Sequence, residues 1–362
     1  MRLISPALRH FIYPALAKSG YLRRRNGVGP TVVTYHGVLP AGYRMVDAVL
    51  DGNLVSTNTL RCQLQLLKSR YHVITPGQFL AWTEGQQQLP SRSVLLTCDD
   101  GPRSTLTDML PVLQELELSC LFFVTGASLR ESPCMLWHEE MLLMFLTATD
   151  ACRLDLAEIS VAAHPAGRQE KQLLWWDLVK KLSRYDESTR RKFVEKIRVQ
   201  LGLPSNWSAA YTADLAACRR FLMLNGDELH SLTAAGMCVG AHTISHPMLS
   251  QSPEELSWNE ISESRRGLES VLGERVWAMA YPFGDLASVT RRELEMAERA
   301  GYKCAFLNFG GGFGAQTARF AWPRVHVVGN ISLPEFEAHV SGFYRWLREG
   351  LLGEQAVTGL GG

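Results

Sequence analysis

Short apolar runs, each followed by polar or titratable residues, are the feature of this sequence that most restricts its fold. The runs are residues 31–36, 93–98, 120–125, 237–241, 276–281, 303–307 and 324–328. Longer segments with apolar residues at helical spacing lie between them, at residues 106–116, 253–272 and 289–300. Short strands that alternate with amphipathic helices are typical of a parallel α/β domain. The 362 residues suit one α/β barrel that carries insertions.

One segment, from about residue 130 to 224, interrupts this alternation. It is helix-prone and rich in Trp and charged residues, and it is predicted to be a helical insertion between two strands. Its Trp175 and Trp176 have two interpretations, as anchors that pack the insertion onto the barrel or as a surface on which a sugar ring stacks. The expected organisation is a basic arm at 1–28, a barrel domain at 29–345 with this insertion, and a tail at 346–362.

The overall charge and the cysteines restrict the class of protein and its location. A net charge of +1 gives no reason to expect nucleic acid as a partner. The eight cysteines are scattered and form no CxxC pair, which favours a reducing compartment over a disulfide framework. The N-terminus does not have the pattern of a secretory signal. A cytoplasmic protein is therefore expected.

The first 46 residues differ from the rest because they hold seven Lys or Arg residues and no Asp or Glu. Two interpretations of residues 1–25 stay open. They form an amphipathic helix on the anionic inner membrane surface, or they form a solvated terminal arm. Pro6 and Pro14 interrupt the segment.

The polar residues that follow the apolar runs indicate one site. They are Tyr35 and His36, Asp99 and Asp100, His242 and His246, Tyr281 to Gly284, and His326 within the last run. The loops after the strands of a parallel α/β barrel open on one face, and active sites are built there. We therefore expect these groups to converge at one end of the barrel.

The residue types at this end are those of a catalytic metal site. The spacing of His242 and His246 predicts two imidazoles on one side of a helical turn, close enough to share an ion. Together with Asp100 they leave coordination positions open, as catalytic rather than structural sites do. Zinc suits this set, and cobalt or nickel are alternatives. A bound divalent ion lowers the pKa of water, and the neighbouring Asp99 is placed to accept its proton.

The motifs TCDDGP, HTISHP and AYPFG, in this order, resemble those of the polysaccharide deacetylase family, the carbohydrate esterases with a NodB-type domain. The resemblance runs from about residue 31 to 328, outside the insertion. It implies a distorted (β/α) barrel with fewer than eight regular strands. It also implies that Asp99 is the catalytic base, that Asp100, His242 and His246 bind a divalent metal, and that the Phe283 N–H stabilises an oxyanion.

The chain departs from this family pattern at three points. Cys98 stands where the family usually has Phe, which affects packing. Ala280 stands where an Arg often orients the catalytic Asp, so another cation is expected to do so. Arg324 is the candidate and Arg319 the second choice. The usual late acid motif is indistinct, and His326 is the candidate general acid, against the alternative of a strand histidine that points away.

The residues expected to contact substrate are His36, Tyr281 and Pro282. His36 follows Tyr35 in a pair that resembles one in family members acting on exopolysaccharides, although a structural histidine that closes the barrel is the alternative. The expected reaction is hydrolysis of N-acetyl, or O-acetyl, groups on a polysaccharide or on its lipid-linked or oligosaccharide precursor. Two other functions stay open: a catalytically silent sugar-binding protein, and a hydrolase of a small non-sugar amide.

Overall fold

A computed structural model describes residues 4–24, 29–130, 134–148, 152–285, 287–310 and 319–352. The strands within this part of the chain are β1 Thr31–Tyr35, β2 Val38–Leu39, β3 Val55–Ser56, β4 His72–Ile74, β5 Ser93–Cys98, β6 Leu121–Val124, β7 Leu154–Leu156, β8 Val161–Ala163, β9 Cys238–Ala241, β10 Ala278–Ala280, β11 Cys304–Gly310 and β12 Trp322–His326.

Most of the remaining described chain is helical. The α-helices are α1 Ile4–Ala7, α2 Tyr13–Lys18, α3 Tyr21–Arg24, α4 Ala48–Asp51, α5 Thr57–Arg70, α6 Pro76–Thr83, α7 Leu110–Glu115, α8 Trp137–Thr147, α9 Arg168–Leu182, α10 Glu187–Gln200, α11 Ala209–Thr212, α12 Leu215–Phe221, α13 Gly226–Ala234, α14 Glu254–Leu272, α15 Arg291–Arg299, α16 Leu333–Val340 and α17 Phe343–Leu352. Two π-helical turns precede α2 and α7, at Leu8–Ile12 and Thr105–Met109.

Seven parallel strands close into a barrel in the order β1, β12, β11, β10, β9, β6, β5, with β1 hydrogen-bonded to both β12 and β5. The barrel is irregular, because β10 pairs with β9 at one position only and the register of β11 and β12 shifts between Phe306 and Gly310. Each of the seven predicted apolar runs overlaps one barrel strand, although β11 ends later than predicted and β12 begins and ends two residues earlier. The prediction of a distorted (β/α) barrel is confirmed.

Alternate residues of these strands enter two different parts of the core. Val32, Leu95 and Phe123 belong to a cluster made mostly of strand residues, inside the barrel. Their neighbours Val33 and Leu96 pack with the surrounding helices. Successive side chains of a strand point to opposite faces, and parallel strands are covered on both. Both faces are therefore apolar, which is why these strands are continuous apolar runs in the sequence.

The insertion lies between β6 and β9 and contains α8 to α12. It is not wholly helical as predicted, because β7 and β8 form a short antiparallel hairpin within it. Its buried residues, among them Leu142, Leu178 and Ile197, form a hydrophobic cluster of their own. The insertion therefore has a separate core that rests against the end of the barrel.

The N-terminal segment is helical and packed, which argues against the solvated arm, one of the two interpretations left open by the sequence. Tyr13 and Leu22 are buried against α16 and α17, and Arg9 forms an ion pair with Glu335. The predicted tail boundary at residue 346 falls inside α17. Residues 1–3, 25–28 and 353–362 of these predicted segments lie outside the described residues. Within the described chain, no helix combines the length and hydrophobicity that crossing a bilayer requires.

Candidate functional site

A cleft of about 330 Å³ opens at the carboxyl ends of the barrel strands. The predicted site residues that line it are His36, Asp99, Asp100, His242, His246, Phe283 and His326. These residues follow four of the barrel strands or, for His326, end a fifth. The closed barrel brings these strand ends together. The structure therefore brings these seven residues together at one end of the barrel, as expected from the sequence.

Asp100, His242 and His246 form a candidate metal-binding group. Their ligand atoms all lie within 4.8 Å of one another, and Asp100 Oδ1 is 3.3 Å from Nε2 of each imidazole. His242 Nδ1 lies 2.8 Å from the carbonyl oxygen of Ala280, so Nδ1 donates to that carbonyl and the Nε2 lone pair faces Asp100. Two imidazoles and one carboxylate in this arrangement fit a divalent ion such as zinc.

The two histidines meet on a loop, which corrects the expectation of a helical turn. Residues 242–248 are not helical, and the φ angles of Thr243 and His246 are positive, at 63° and 56°. Non-glycine residues in this region are strained and persist only where surrounding contacts enforce them. The loop nevertheless brings the imidazoles together, with ring centroids 4.9 Å apart.

Asp99 is held by Arg324 in a buried, bidentate ion pair. The Nη atoms of Arg324 lie 2.7 and 2.5 Å from the two carboxylate oxygens, and the side chains are 0 % and 1 % exposed. Burial alone would raise the pKa of Asp99, but the adjacent guanidinium, with smaller contributions from His242 and His36, holds this pKa below its ordinary value. Arg319 instead donates to the carbonyl of Lys303. Arg324 does not line the cleft, so it acts through Asp99 as a positioning residue.

The imidazole rings of His36 and His326 pack against each other at a tilt of 37°, beside Asp99. Their ring centroids are 4.7 Å apart, and His36 Nε2 is 3.9 Å from Asp99 Oδ2 and 3.2 Å from Asn308 Nδ2. Burial lowers the pKa of His36, and burial together with the charges of His36 and Arg324 lowers that of His326 to about 3. His326 faces the cleft rather than away from it, and its imidazole is neutral at pH 7.

Tyr281 and Pro282 do not line the cleft, which corrects their expected role in substrate binding. Tyr281 is fully buried, and its hydroxyl donates to the carbonyl of Phe320. The pair instead leads into a tight turn at Phe283 and Gly284, both with φ of 61°. A Cβ on Gly284 would lie 2.5 Å from the backbone nitrogen of Asn308, so only glycine fits there.

The turn leaves one backbone donor available at the cleft. The Phe283 N–H has no acceptor among the described residues. Its ring packs edge-on against the imidazole of His246, with centroids 4.9 Å apart. The geometry therefore suits an oxyanion donor next to the metal-binding group.

The insertion supplies cleft residues that the sequence did not identify. His138 stacks on His246 at 4.7 Å, and the neighbouring carboxylate of Glu139 is held by Arg220 at 2.7 Å. Both lie on α8, which packs against the loop at residues 242–248, and no sequence motif marks them. Trp175 and Trp176 also line the cleft. Trp175 is only 8 % exposed and donates to the carbonyl of His138, as a core anchor would, whereas Trp176 is partly exposed.

Together, the barrel and its site define a class of (β/α)-barrel protein with a carboxylate and two imidazoles grouped at the strand ends, beside a second, charge-paired carboxylate. The family model for polysaccharide deacetylases matches residues 86–172 and 206–305, more than half of the chain. The chain belongs to the polysaccharide deacetylase family. No curated protein sequence is significantly similar to it.

Three solved structures share the fold. The deacetylase PplD of Streptococcus pyogenes, in complex with acetate, is 16 % identical, with a TM-score of 0.55 over 87 % of this chain and 99 % of that one. IcaB of Ammonifex degensii is 18 % identical, with a TM-score of 0.52 over 87 % and 98 %. A de-N-acetylase of Aggregatibacter actinomycetemcomitans is 13 % identical, with a TM-score of 0.53 over 86 % and 99 %.

Proposed function

We propose that this protein is a metal-dependent hydrolase that removes N-acetyl groups from a polysaccharide or from its oligosaccharide or lipid-linked precursor. The observation that carries the proposal is the ionised, arginine-paired Asp99 beside the group of Asp100, His242 and His246 in one cleft. A base next to a metal-binding group is the combination that hydrolysis of an unactivated amide needs.

Zinc is the proposed ion, with cobalt or nickel as substitutes, because two imidazoles and one carboxylate suit these metals. A divalent ion held by Asp100, His242 and His246 supplies Lewis-acid polarisation of the acyl oxygen and makes water a better nucleophile. The Nδ1 hydrogen bond from His242 to Ala280 keeps Nε2 free to bind it.

The other residues have separate roles in the proposed reaction. Asp99 accepts the proton of the attacking water, and Arg324 keeps it ionised and oriented. The Phe283 N–H donates to the developing oxyanion. The leaving nitrogen takes its proton from Asp99, which has received one from water, or from His326. The low pKa of His326 favours Asp99 as the source, with His36 and His326 forming the wall beside it.

A carbohydrate substrate is supported by the family and by the shape of the site. Trp176 lines the cleft and lies edge-on to Phe283, with centroids 5.5 Å apart, so part of its indole faces the position next to the metal-binding group. The apolar face of a sugar ring packs on such a surface. N-deacetylation is favoured because a de-N-acetylase is among the structural neighbours, and an O-acetyl ester would use the same groups.

The two alternative functions explain less of the site. A silent sugar-binding protein has no use for a base paired with a buried arginine beside a metal-binding group. A hydrolase of a small amide does not need a cleft wall built by an insertion of this size.

We also propose a cytoplasmic location with peripheral contact to an anionic membrane surface. Phe11 and Trp346, on the packed N- and C-terminal helices, are 75 % and 52 % exposed, and residues 1–46 have no acidic side chain. Basic residues with exposed aromatic groups favour such surfaces. These helices pack against α16, and the Val340 carbonyl at the end of α16 accepts a hydrogen bond from Thr31 Oγ1 at the start of β1. Attachment therefore leaves the cleft at the opposite end of the barrel open.

Acetate release tests the enzymatic proposal. Purified protein is treated with a chelator, divided, and reloaded with zinc, and each sample is given neutral N-acetylated oligosaccharides, an O-acetylated oligosaccharide and a small N-acetyl amide. The expected result is zinc-dependent release, fastest from the N-acetylated oligosaccharides. Release that is equally fast from the small amide supports the amide hydrolase, and no release from any substrate supports the silent protein.

A further inference from the structure

The ligand loop, residues 242–248, is strained and needs contacts to hold it. Thr243 and His246 have positive φ angles although neither is glycine. His246 is a proposed metal ligand, so any relaxation of this backbone moves a donor atom. Conformations of this kind persist only where the surrounding structure enforces them. The contacts that enforce this one come from two sides.

The inner side is the barrel domain. Glu260 of α14 is 3 % exposed, and its Oε2 accepts hydrogen bonds from the N–H groups of Ile244 and Ser245, both at 2.8 Å. The other oxygen of the carboxylate accepts from the hydroxyl of Ser245. The carboxylate therefore fixes two successive backbone amides of the ligand loop.

The outer side is the insertion. Arg190 of α10 is 1 % exposed, and its Nη1 donates to the carbonyl of Ser245 at 3.1 Å and to its hydroxyl at 3.0 Å. The guanidinium lies 4.7 Å from the ring centre of Trp137, whose indole N–H donates to the carbonyl of His246 at 3.3 Å. Ser245 is thus enclosed between a buried carboxylate and a buried guanidinium.

The two histidines differ in how their rings are oriented. His242 has a hydrogen bond from Nδ1 to a backbone carbonyl, the usual way of orienting a metal-binding imidazole. His246 Nδ1 is buried and has no hydrogen-bond partner among the described residues. Its orientation depends on ring packing with His138 and Phe283 and on the backbone of the ligand loop. Contacts from the insertion therefore matter most for this ligand.

We propose that Arg190 is a positioning residue that holds His246 in its metal-binding position, which makes the insertion a part of the metal site. The inference rests on the metal-dependent function proposed above. Arg190 does not line the cleft, and it acts through Ser245 and Trp137. Arg190 lies in residues 173–205, which the family model does not match. The insertion therefore supports His246 with contacts from outside the matched part of the chain.

The test compares Arg190→Met with Arg191→Met, its neighbour on the same helix. Methionine keeps the apolar stem at each position and removes the guanidinium, and Arg191 pairs with Glu140 rather than with the ligand loop. The zinc dissociation constant is measured by competition with a chromogenic chelator. Loss of support for a metal ligand typically weakens binding by about 10–100-fold, and this is expected for Arg190→Met. Loss of a partly exposed ion pair should change it by less than about threefold.

Two further readouts distinguish positioning from a general loss of stability. Amide hydrogen exchange in the zinc-free protein should accelerate at residues 243–247 in Arg190→Met and not in Arg191→Met. Excess zinc should restore most of kcat in Arg190→Met. If Arg190→Met does not fold, Arg190→Gln replaces it, because glutamine keeps polar atoms at this buried position and removes the guanidinium that donates to Ser245.

Each outcome has a separate meaning. A wild-type protein that binds no zinc overturns the proposed function, and this inference with it. If the wild type binds zinc, and Arg190→Met has the same zinc affinity and the same exchange rates as the wild type, the role of Arg190 is overturned. The proposed function then still stands. When Arg190→Gln is the variant used, unchanged zinc affinity and unchanged exchange rates overturn the role equally.

Discussion

The ion pair between Arg324 and Asp99 allows a quantitative prediction. Arg324→Met leaves the Asp99 carboxylate, 1 % exposed, without the cation that contacts both of its oxygens. Removing one partner of a buried ion pair costs about 3–5 kcal/mol, because an uncompensated charge stays buried. We expect the free energy of unfolding at pH 7 to fall by this amount, together with loss of most turnover.

The loss should depend on pH in a defined direction. In the wild type, the pKa of Asp99 in the folded protein is below its ordinary value. The ionised Asp99 therefore contributes fully to stability above the pKa of the unfolded chain, ~3.9, and this contribution is lost as pH falls through the folded pKa. In Arg324→Met, the largest opposing charge is gone and only the weaker effects of His242 and His36 oppose burial. The pKa of Asp99 therefore rises, and the variant gains stability as pH falls and the carboxyl takes up a proton. The difference between the two proteins should therefore narrow from pH 7 towards pH 4.

Urea unfolding of the zinc-free proteins measures these differences. Arg319→Met is the matched control, because the Arg319 side chain contacts the carbonyl of Lys303 and not Asp99. It should change stability by less than about 0.5 kcal/mol. The double variant Asp99→Asn/Arg324→Met removes both charges and should be more stable than Arg324→Met alone. Equal stability of Arg324→Met and Arg319→Met at pH 7 would refute the reasoning.

Three more predictions follow from the cleft and the surface. His242→Ala and His246→Ala should each lose bound zinc by elemental analysis, and full occupancy in the double variant would contradict the ligand assignment. Trp176→Ala should raise KM for an acetylated oligosaccharide by roughly tenfold, equivalent to about 1.4 kcal/mol, and leave the fold stable. Trp175→Ala should instead lower the free energy of unfolding by about 3–5 kcal/mol. The reverse pattern would exchange the roles of the two tryptophans. Phe11→Asp should weaken sedimentation with anionic liposomes at low salt, and wild-type sedimentation that is absent or insensitive to salt would rule out the proposed membrane contact.

The barrel could be predicted because its strands are buried on both faces. All six residues of Ser93–Cys98 are buried, and such strands are necessarily apolar runs. The strands that were missed, such as His72–Ile74 and Leu154–Leu156, have three residues each. Runs this short contain too few residues to show a strand pattern, so only the tertiary structure identifies them.

The site could be predicted in part for a similar reason. The residues after barrel strands must converge, and Ala280 stands where the family pattern has an Arg that orients the catalytic Asp, so Arg324 could be named although it lies far along the chain. The shape of the ligand loop and the stacking of His138 on His246 could not. Both depend on contacts between the insertion and the barrel, which leave no periodic pattern in the sequence. Tyr281 was misplaced because its position beside Phe283 does not reveal the direction of its side chain.

The measurement that tests the central claim most directly compares Asp99→Asn with Asp100→Asn for zinc content and acetate release. Asp99→Asn removes the proton acceptor and leaves the three proposed ligands, so it should keep the zinc content of the wild type and lose about 10²–10⁴-fold in turnover. Asp100→Asn should lose zinc first, and turnover with it. If Asp99→Asn releases acetate at the wild-type rate, or if the two variants behave alike in both assays, Asp99 is not the base of a metal-dependent deacetylase.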